Sequence, residues 1–437
     1  MLHACGVDFG TSNSTVGWHR AGQTQHAGLS SSSAHLPSLL SLEEDKVTLP
    51  SVVFFNADED EVSYGRAALS TYLSGYEGRL MRSMKSLLGT SLMEGQTEVQ
   101  GRALPFRQLL AQFIGELKLR AEKSAGQSFS QVVMGRPVHF IDDDKAADRI
   151  AQNTLEDIAR AAGFKDIQFQ YEPIAAAFDY ESRINKEELV LIADIGGGTS
   201  DFSLVRLSPE RSSRIDRLDD ILGNGGVHIG GTDFDKYLSL AYVMPLLGLG
   251  GRLGNSDIPS GYYFNLATWH TINLVYTQKV SRELQDVYRE ISDAELRSRF
   301  ERLLNLVEER DGHWLAIKSE EAKILLSDND KIELILERLR SKITSSAPCI
   351  LTLEQHGFQQ SISHLMTQIG ATVSQVLADA GVAAADVDTV FFTGGSSGVR
   401  GLRDRIAAIV PGAKKVEGDL FGSIGSGLAL DASRRFA

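Results

Sequence analysis

Cys5–Trp18, CGVDFGTSNSTVGW, and Val190–Val205, VLIADIGGGTSDFSLV, are two versions of one pattern. Each is a β-rich run ending in an aspartate (Asp8 or Asp194), then a Gly/Thr/Ser turn, then a second β-rich run. Near-copies in opposite halves of a chain predict two related lobes, because a solenoid would repeat at a far shorter period. The flanks agree. After Asp8 come strand-like runs near 14–19 and 24–29, a strand at 131–135, a helix near 143–162, a strand at 166–171 and a helix from Pro173. After Asp194 come strands near 200–206 and 212–218, then a helix from about 233. Further on lie a helix near 360–380, a strand at 388–393, a helix from 399 and a last helix near 420–434. Three strands followed by alternating helices and strands, built twice, predict an α/β fold with a mixed sheet in each lobe.

Lobe I is expected over 1–187 with an insertion at about 30–128, and lobe II over 188–419 with an insertion at about 240–355. Residues 420–437 form a C-terminal helix expected to pack back on lobe I. The first insertion reads as helical from 60 to 128, including RLMRSMKSLLG. In the second, Leu284, Val287, Ile291, Leu296, Phe300, Leu303 and Val307 recur at helical spacing, which predicts an amphipathic helix pair on its own small core.

Composition narrows the function classes. With 437 residues, 42% of them hydrophobic and 23% charged, the chain has material for sizeable cores. A net charge of −13 disfavours a nucleic-acid or anionic-membrane partner, whose affinity would rest on a basic face. Two cysteines, Cys5 and Cys349, stand far apart with no metal-ligand spacing, so neither a disulfide framework nor a zinc site is expected. No basic-then-apolar leader opens the sequence and no apolar run approaches the length of a membrane span, so a cytoplasmic protein is expected. Glycine is in excess, 41 against 10 prolines.

Part of that excess falls in four turns at strand ends: GTSNS (10–14), GGGT (196–199), GGT (230–232) and GGSSG (394–398). Such turns gather backbone N–H groups with no Cβ in the way, which suits phosphate oxygens. The first two join strand to strand, unlike a Walker loop, and no GxxxxGK[ST] occurs. The third and fourth precede helices, whose N-termini favour anions. Acids accompany them. Asp8 and Asp194 end the first strand of each lobe, Asp201 follows the second turn, and Glu172 sits between a strand and Pro173 at a helix start. Carboxylates facing phosphates repel them unless a cation intervenes, and magnesium held through oxygens and water resolves that conflict.

VDFGTSNS, YEPIAAAF, VLIADIGGGTSDFSLV, HIGGTDFD and VFFTGGSSG, with LPSVVFF and MGRPVHF, resemble in order the signature segments of the heat shock protein 70 (DnaK) family. The chain is similar to its YegD-like members, which consist of an ATPase domain with little else. The wider superfamily includes actin and hexokinase-type sugar kinases. The resemblance implies a two-lobed actin-like ATPase fold, with duplicated ribonuclease H-like βββαβαβα lobes and an inserted subdomain in each. It implies ATP or ADP with Mg2+ between the lobes, slow hydrolysis, and a chaperone-like role with a co-chaperone or client protein.

By motif, the resemblance assigns Asp8 and Asp194 to magnesium through water, and Lys85, Glu172, Thr199 and Asp201 to the reacting γ-phosphate and water. Gly10, Thr11, Ser12, Asn13, Gly196, Gly197, Gly198, Gly230 and Gly231 fall in its phosphate-loop segments. Glu320, Lys323 and Ser327 of EEAKILLS, with Gly394, Gly395 and Ser396, fall in its adenosine segments. Two family arginines that sandwich the adenine are replaced by Ile324 and Gly398, which implies weaker or differently packed base binding. The sequence ends at Ala437 after GLALDASRRFA, where the family continues into a linker and a β-rich peptide-binding domain, so an ATPase unit without that domain is expected. Two competing expectations are a small-molecule kinase, with Asp142 to Asp144 as the region for its base, and a nucleotide-gated scaffold, filament or reactivase-like protein with little turnover.

Overall fold

A computed structural model of the chain describes residues 3–19, 38–141, 144–254, 256–340, 349–420 and 422–436. The expected strand at 24–29 and residues Asp142 and Asp143 lie outside them. Two mixed sheets of matching order form the body. In the first, the strands run Asp166–Tyr171, Gln131–Arg136, Ala4–Phe9, Asn13–Trp18, with Ser38–Leu39 and Thr48–Pro50 both pairing to Asn13–Trp18. In the second, they run Lys414–Glu417, Thr389–Thr393, Glu188–Ile195, Ser200–Leu207, Ile221–Val227. Each begins with an antiparallel hairpin and adds two later strands in parallel beside its first strand. The repeated sequence pattern is therefore a repeated topology. Asp8 pairs with Thr15 and Asp194 with Asp201 across equivalent hairpins.

Helices Phe106–Ala125 and Lys145–Ala161 cover one face of the first sheet, burying Leu109, Phe113, Leu117 and Leu155 against Val7 and Phe9. Gly231–Leu238, Ser363–Asp379 and Arg400–Ile409 belong to a second core, where Phe234, Val373 and Leu402 join Leu191, Phe202 and Phe392 of the second sheet. A third cluster joins the lobes. Ile174 and Phe178 of helix Glu172–Glu181 and Leu428 and Ala432 of helix Ser423–Arg435 meet Val133 of the first sheet and Val190 and Val205 of the second. The last helix lies along strands Ala4–Phe9 and Asn13–Trp18 and against helix Glu172–Glu181. That approach requires glycine. A Cβ on Gly427 would stand 1.9 Å from the Ala175 carbonyl oxygen, and one on Gly6 would stand 2.2 Å from the Ala429 nitrogen.

Three sequence expectations need correction. The third strand of lobe II is Ile221–Val227 and not 212–218. Residues 212–218 belong to a loop ending in a buried ion cluster, where Arg217 pairs with Glu181 at 2.8 Å and with Asp220. The strand ILGNGGV is rich in glycine because helix Ser363–Asp379 crosses close above it. A Cβ on Gly225 would stand 2.8 Å from Val376 Cγ2. The first insertion is helical only in part: helices Gly65–Leu73 and Phe106–Ala125 form within 60–128, but strands lie before and between them. It holds a three-stranded sheet of Val52–Asn56, Glu61–Tyr64 and Gly78–Arg82, and a hairpin of Gln96–Val99 and Arg102–Pro105. Within RLMRSMKSLLG, Ser83 is left-handed (φ 56°), so strand Gly78–Arg82 turns into the short 3-10 segment Met84–Leu87 and no α-helix forms. Finally, helices Gln278–Glu290 and Ala294–Glu308 form as the spacing predicts, but Leu284, Phe300 and Leu303 join the lobe II core and do not form a separate one.

Candidate functional site in the cleft between the lobes

Hairpin geometry brings the duplicated turns together. The first turn is closed by lobe I, where Ser51 N–H donates to the Ser12 carbonyl at 2.9 Å and Ser51 Oγ to the Gly10 carbonyl at 2.7 Å. Gly10 itself must lack a side chain, since a Cβ would stand 2.1 Å from the Asn13 carbonyl oxygen. In the second turn, Gly196 N–H donates to the Thr199 carbonyl at 2.9 Å, and Thr199 Oγ1 to Asp201 Oδ2 at 2.8 Å. The head of helix Gly231–Leu238 supports it: Gly231 N–H reaches the Gly196 carbonyl at 3.0 Å and Thr232 N–H the Gly197 carbonyl at 2.8 Å. The two turns face each other so closely that a Cβ on Gly197 would stand 2.1 Å from Ser12 Oγ. Gly230 is packed on the same loop, 2.6 Å from the Gly197 carbonyl carbon by the same measure.

The acids line this junction. Glu172, at the start of its helix, receives Lys85 Nζ on Oε1 at 2.5 Å, and both side chains are largely shielded, 13% and 12% exposed. Lys85 is thus a cleft residue on a 3-10 turn and not a solvated lysine on a polar helix. Burial works against its charge, but Glu172, Asp8 and Asp194 together outweigh that and raise its pKa. The aspartate pKa values rise as well, which for an acid favours the uncharged form. Desolvation first, then the Glu172 carboxylate, push Asp8 up to about 7, with Lys85 opposing. Desolvation, then Asp201, Glu172 and Asp8, push Asp194 up to about 8. One lysine therefore does not balance these carboxylates. A divalent cation with its water shell is the partner such a set of hard oxygens fits, and Asp8 and Asp194 are the residues that would hold it.

The other two loops close the second lobe's side. Gly394 (φ 80°) brings its loop against Asp194, and a Cβ there would stand 2.4 Å from Asp194 Oδ1. Ser396 Oγ stands 2.3 Å from a Cβ position on Gly231, and Lys323 Nζ donates to the Gly231 carbonyl at 3.2 Å. Lys323, buried on helix Gly312–Asp328, also pairs with Asp235 at 2.9 Å. Ser327 Oγ donates back to the Lys323 carbonyl at 3.1 Å, and no contact joins it to the glycine loops among the described residues. Glu320 and Ile324 are exposed on the same helix and border, with Ile317, Glu321 and Leu325, an open depression of about 350 Å3. Thr11 and Gly198 sit in the turns, Asn13 opens strand Asn13–Trp18, and Gly395 and Gly398 bound a short 3-10 segment.

Sequence reasoning missed Asp235 and Ser51. Asp235 is the second acid of HIGGTDFD and burial pushes it up to about 6 despite Lys323, so a nearby carboxylate in a recognised segment was the available signal. Ser51 lies in LPSVVFF, where only its structural hydrogen bonds reveal its part in the first turn. Asp144, one of the acids weighed as a kinase base, caps its helix by accepting from Ala146 and Ala147 N–H at 3.0 and 2.9 Å. Among the described residues no group of three or more His, Cys, Asp or Glu is placed to ligate a metal directly.

The sequence profile of the family described as "Hsp70 protein" matches residues 4–244 and 305–421. The chain is 26% identical over 451 aligned positions to a chaperone protein HscA homolog of Shewanella putrefaciens, covering 98% of this chain and 58% of that protein. It is 27% identical to the chaperone protein HscA of Salmonella typhimurium, over 92% of this chain and 53% of that one. A third relative, a chaperone protein HscA homolog of Pseudoalteromonas atlantica, is 29% identical over 57% of this chain and 38% of its own length. The chain thus spans about half the length, or less, of the curated relatives it matches.

Proposed function

Because the chain belongs to the Hsp70 family, we propose that its cleft binds ATP with Mg2+ and hydrolyses it slowly, as the nucleotide-driven part of a chaperone-like cycle. The observation that carries this reading is the Lys85–Glu172 pair set among Asp8 and Asp194, the aspartates of the strands that lead into two facing glycine hairpins. Phosphoryl transfer asks a protein chiefly for positioning and charge stabilisation, which is what these residues can offer. Backbone N–H groups of Gly10–Asn13 and Gly197–Thr199 cradle the phosphate oxygens from opposite lobes, with the Gly196 N–H closing its own turn on the Thr199 carbonyl. The bound cation supplies charge neutralisation on the phosphates. Asp8 and Asp194 hold its water shell, Lys85 faces the charge that develops on the transferred phosphoryl group, and Glu172 with Asp201 and Thr199 orients the attacking water. Glu172 keeps Lys85 aimed.

At the nucleoside end, Lys323 is fixed by Gly231 and Asp235 beside Ser396, with Glu320 one turn earlier on the helix. Ile324 offers only an apolar face there, which supports looser base recognition than an arginine stack would give. A co-chaperone or client protein as partner, and a cytoplasmic location, follow from the same reading. The two cysteines are free, and no described helix is long and apolar enough to cross a membrane. Titration calorimetry with ATP in Mg2+ and in EDTA tests the reading. Binding that weakens at least tenfold on chelation is expected, and equal affinity in both would overturn it.

A further inference from the structure

Arg82 ends the inserted strand Gly78–Arg82, paired with Val52. Three residues later comes Lys85, and the left-handed turn at Ser83 separates the directions of the two side chains. Lys85 enters the acid cluster. Arg82 instead crosses to the second lobe, where its guanidinium carbon lies 4.2 Å from the centre of the Trp269 ring. Trp269 is fixed in turn: its ring is 4.8 Å from that of His313, whose Nδ1 is 3.1 Å from Tyr72 Oη. The cation is therefore held flat on a braced indole.

Its charge is only partly answered. Arg82 is strongly desolvated, which lowers its pKa, and the carboxylates of Glu320 and Asp235 act on it from a distance in the other direction. Among the described residues it makes no hydrogen bond and no ion pair. A guanidinium carries five N–H donors, and on this half-buried side chain they remain open to a ligand that enters the cleft. Asp235 is already engaged by Lys323. Glu320 is exposed on the cleft side of its helix. The result is a donor from one lobe and an acceptor from the other, close enough to feel each other and not in contact. A hydroxyl, which accepts and donates at once, fits such a gap.

We propose that Arg82 is a nucleotide-contacting residue that donates to a sugar hydroxyl of the bound nucleoside diphosphate or triphosphate, with Glu320 accepting from the same sugar. This deepens the nucleotide reading of the cleft and rests on it. Arg82 supplies a guanidinium to the nucleoside end from lobe I, where positions 324 and 398 of lobe II carry none. It also makes sugar recognition depend on lobe closure, since its donor and acceptor come from different lobes.

Calorimetry with Mg–ADP and with Mg–2′,3′-dideoxy-ADP on the full chain tests this, comparing wild type, Arg82→Ala and Arg82→Lys. Wild type is expected to prefer ADP by roughly tenfold or more, the value of a hydrogen bond to a charged group. In Arg82→Ala the ADP affinity falls by about the same factor while the dideoxy affinity changes little, so the preference collapses. Arg82→Lys recovers part of it. An unchanged ADP affinity in Arg82→Ala, or an equal loss for both nucleotides, would overturn the assignment. Failure of the wild type to bind either nucleotide would instead overturn the reading of the cleft beneath it. Melting of the nucleotide-free variants within a degree or two of wild type shows that the difference does not come from misfolding.

Discussion

Lys85 and Glu172, 87 positions apart, meet at 2.5 Å, the one carried on a turn of the lobe I insertion and the other at the head of the helix that runs between the lobes. The contact ties a largely shielded lysine of the lobe I insertion to the helix that packs between the two sheets. Removing the lysine leaves Glu172, Asp8 and Asp194 with no compensating charge. Lys85→Ala is therefore expected to slow single-turnover ATP hydrolysis by roughly 10²–10³ while nucleotide binding changes by less than tenfold. Rapid-quench measurement of ADP formation, beside calorimetric affinity, reads both numbers. Near-normal hydrolysis would remove Lys85 from the reaction.

The raised aspartates make a prediction about pH. Asp8 at about 7 and Asp194 at about 8 hold protons more tightly in the fold than in the unfolded chain, where carboxylates titrate near 4. Folding thus favours their protonated forms. Stability is highest below the unfolded value, falls as pH rises through the window from about 4 to 8, and levels off above it. The metal-free protein should melt lower at pH 8 than at pH 6. Asp194→Asn should flatten that slope and add about 1–3 kcal/mol at pH 8, with the shift discounted for water in the cleft. Calorimetric melting across the window checks it; a variant no more stable than wild type at pH 8 would contradict the electrostatic picture.

Gly427 predicts a packing effect independent of chemistry. A methyl there meets the Ala175 carbonyl at 1.9 Å, a backbone atom that cannot rotate away. Gly427→Ala is expected to cost about 2–4 kcal/mol by forcing the last helix off helix Glu172–Glu181. Chemical denaturation measures it directly, and a loss below 0.5 kcal/mol would show that the two helices can part freely.

Ile324 offers a gain. It is 57% exposed beside the Glu320 face of its helix, in the place where the family resemblance has an arginine. Ile324→Arg should tighten ADP binding by about two- to tenfold through stacking on the base, with little change for inorganic polyphosphate, which has no base. An equal change for both ligands would point to a general charge effect.

Much of the architecture was legible because the hairpins are written twice. A strand that ends in Asp, a glycine turn and a second strand need no partner to be recognised, and the registers Asp8–Thr15 and Asp194–Asp201 bear out the parallel. What escaped was set by tertiary contact. Ile221–Val227 has the composition of a loop and is a strand because helix Ser363–Asp379 needs its glycines to come close. The lobe I insertion hides strands whose short pairings, such as Phe54 with Leu80, span a helix. Lys85 could be reached only through family resemblance, since nothing in MKSLLG marks it apart from a surface lysine. Arg82 carried no signal at all, because its meaning lies in Trp269 of the other lobe. The glycine excess has a second explanation: beyond the four turns at strand ends, Gly6, Gly17, Gly425 and Gly427 let the final helix settle on the first sheet.

The central claim is that the paired hairpins and their acids form a magnesium-dependent ATP-hydrolysing centre. Release of inorganic phosphate from ATP by the purified full chain, with Mg2+ or with EDTA and for wild type beside Asp194→Asn, tests it most directly. Slow phosphate release that needs Mg2+ and is lost in Asp194→Asn is the predicted result. Phosphate release that persists in EDTA or in the variant, or no release by the wild type over many hours with Mg2+, would contradict it.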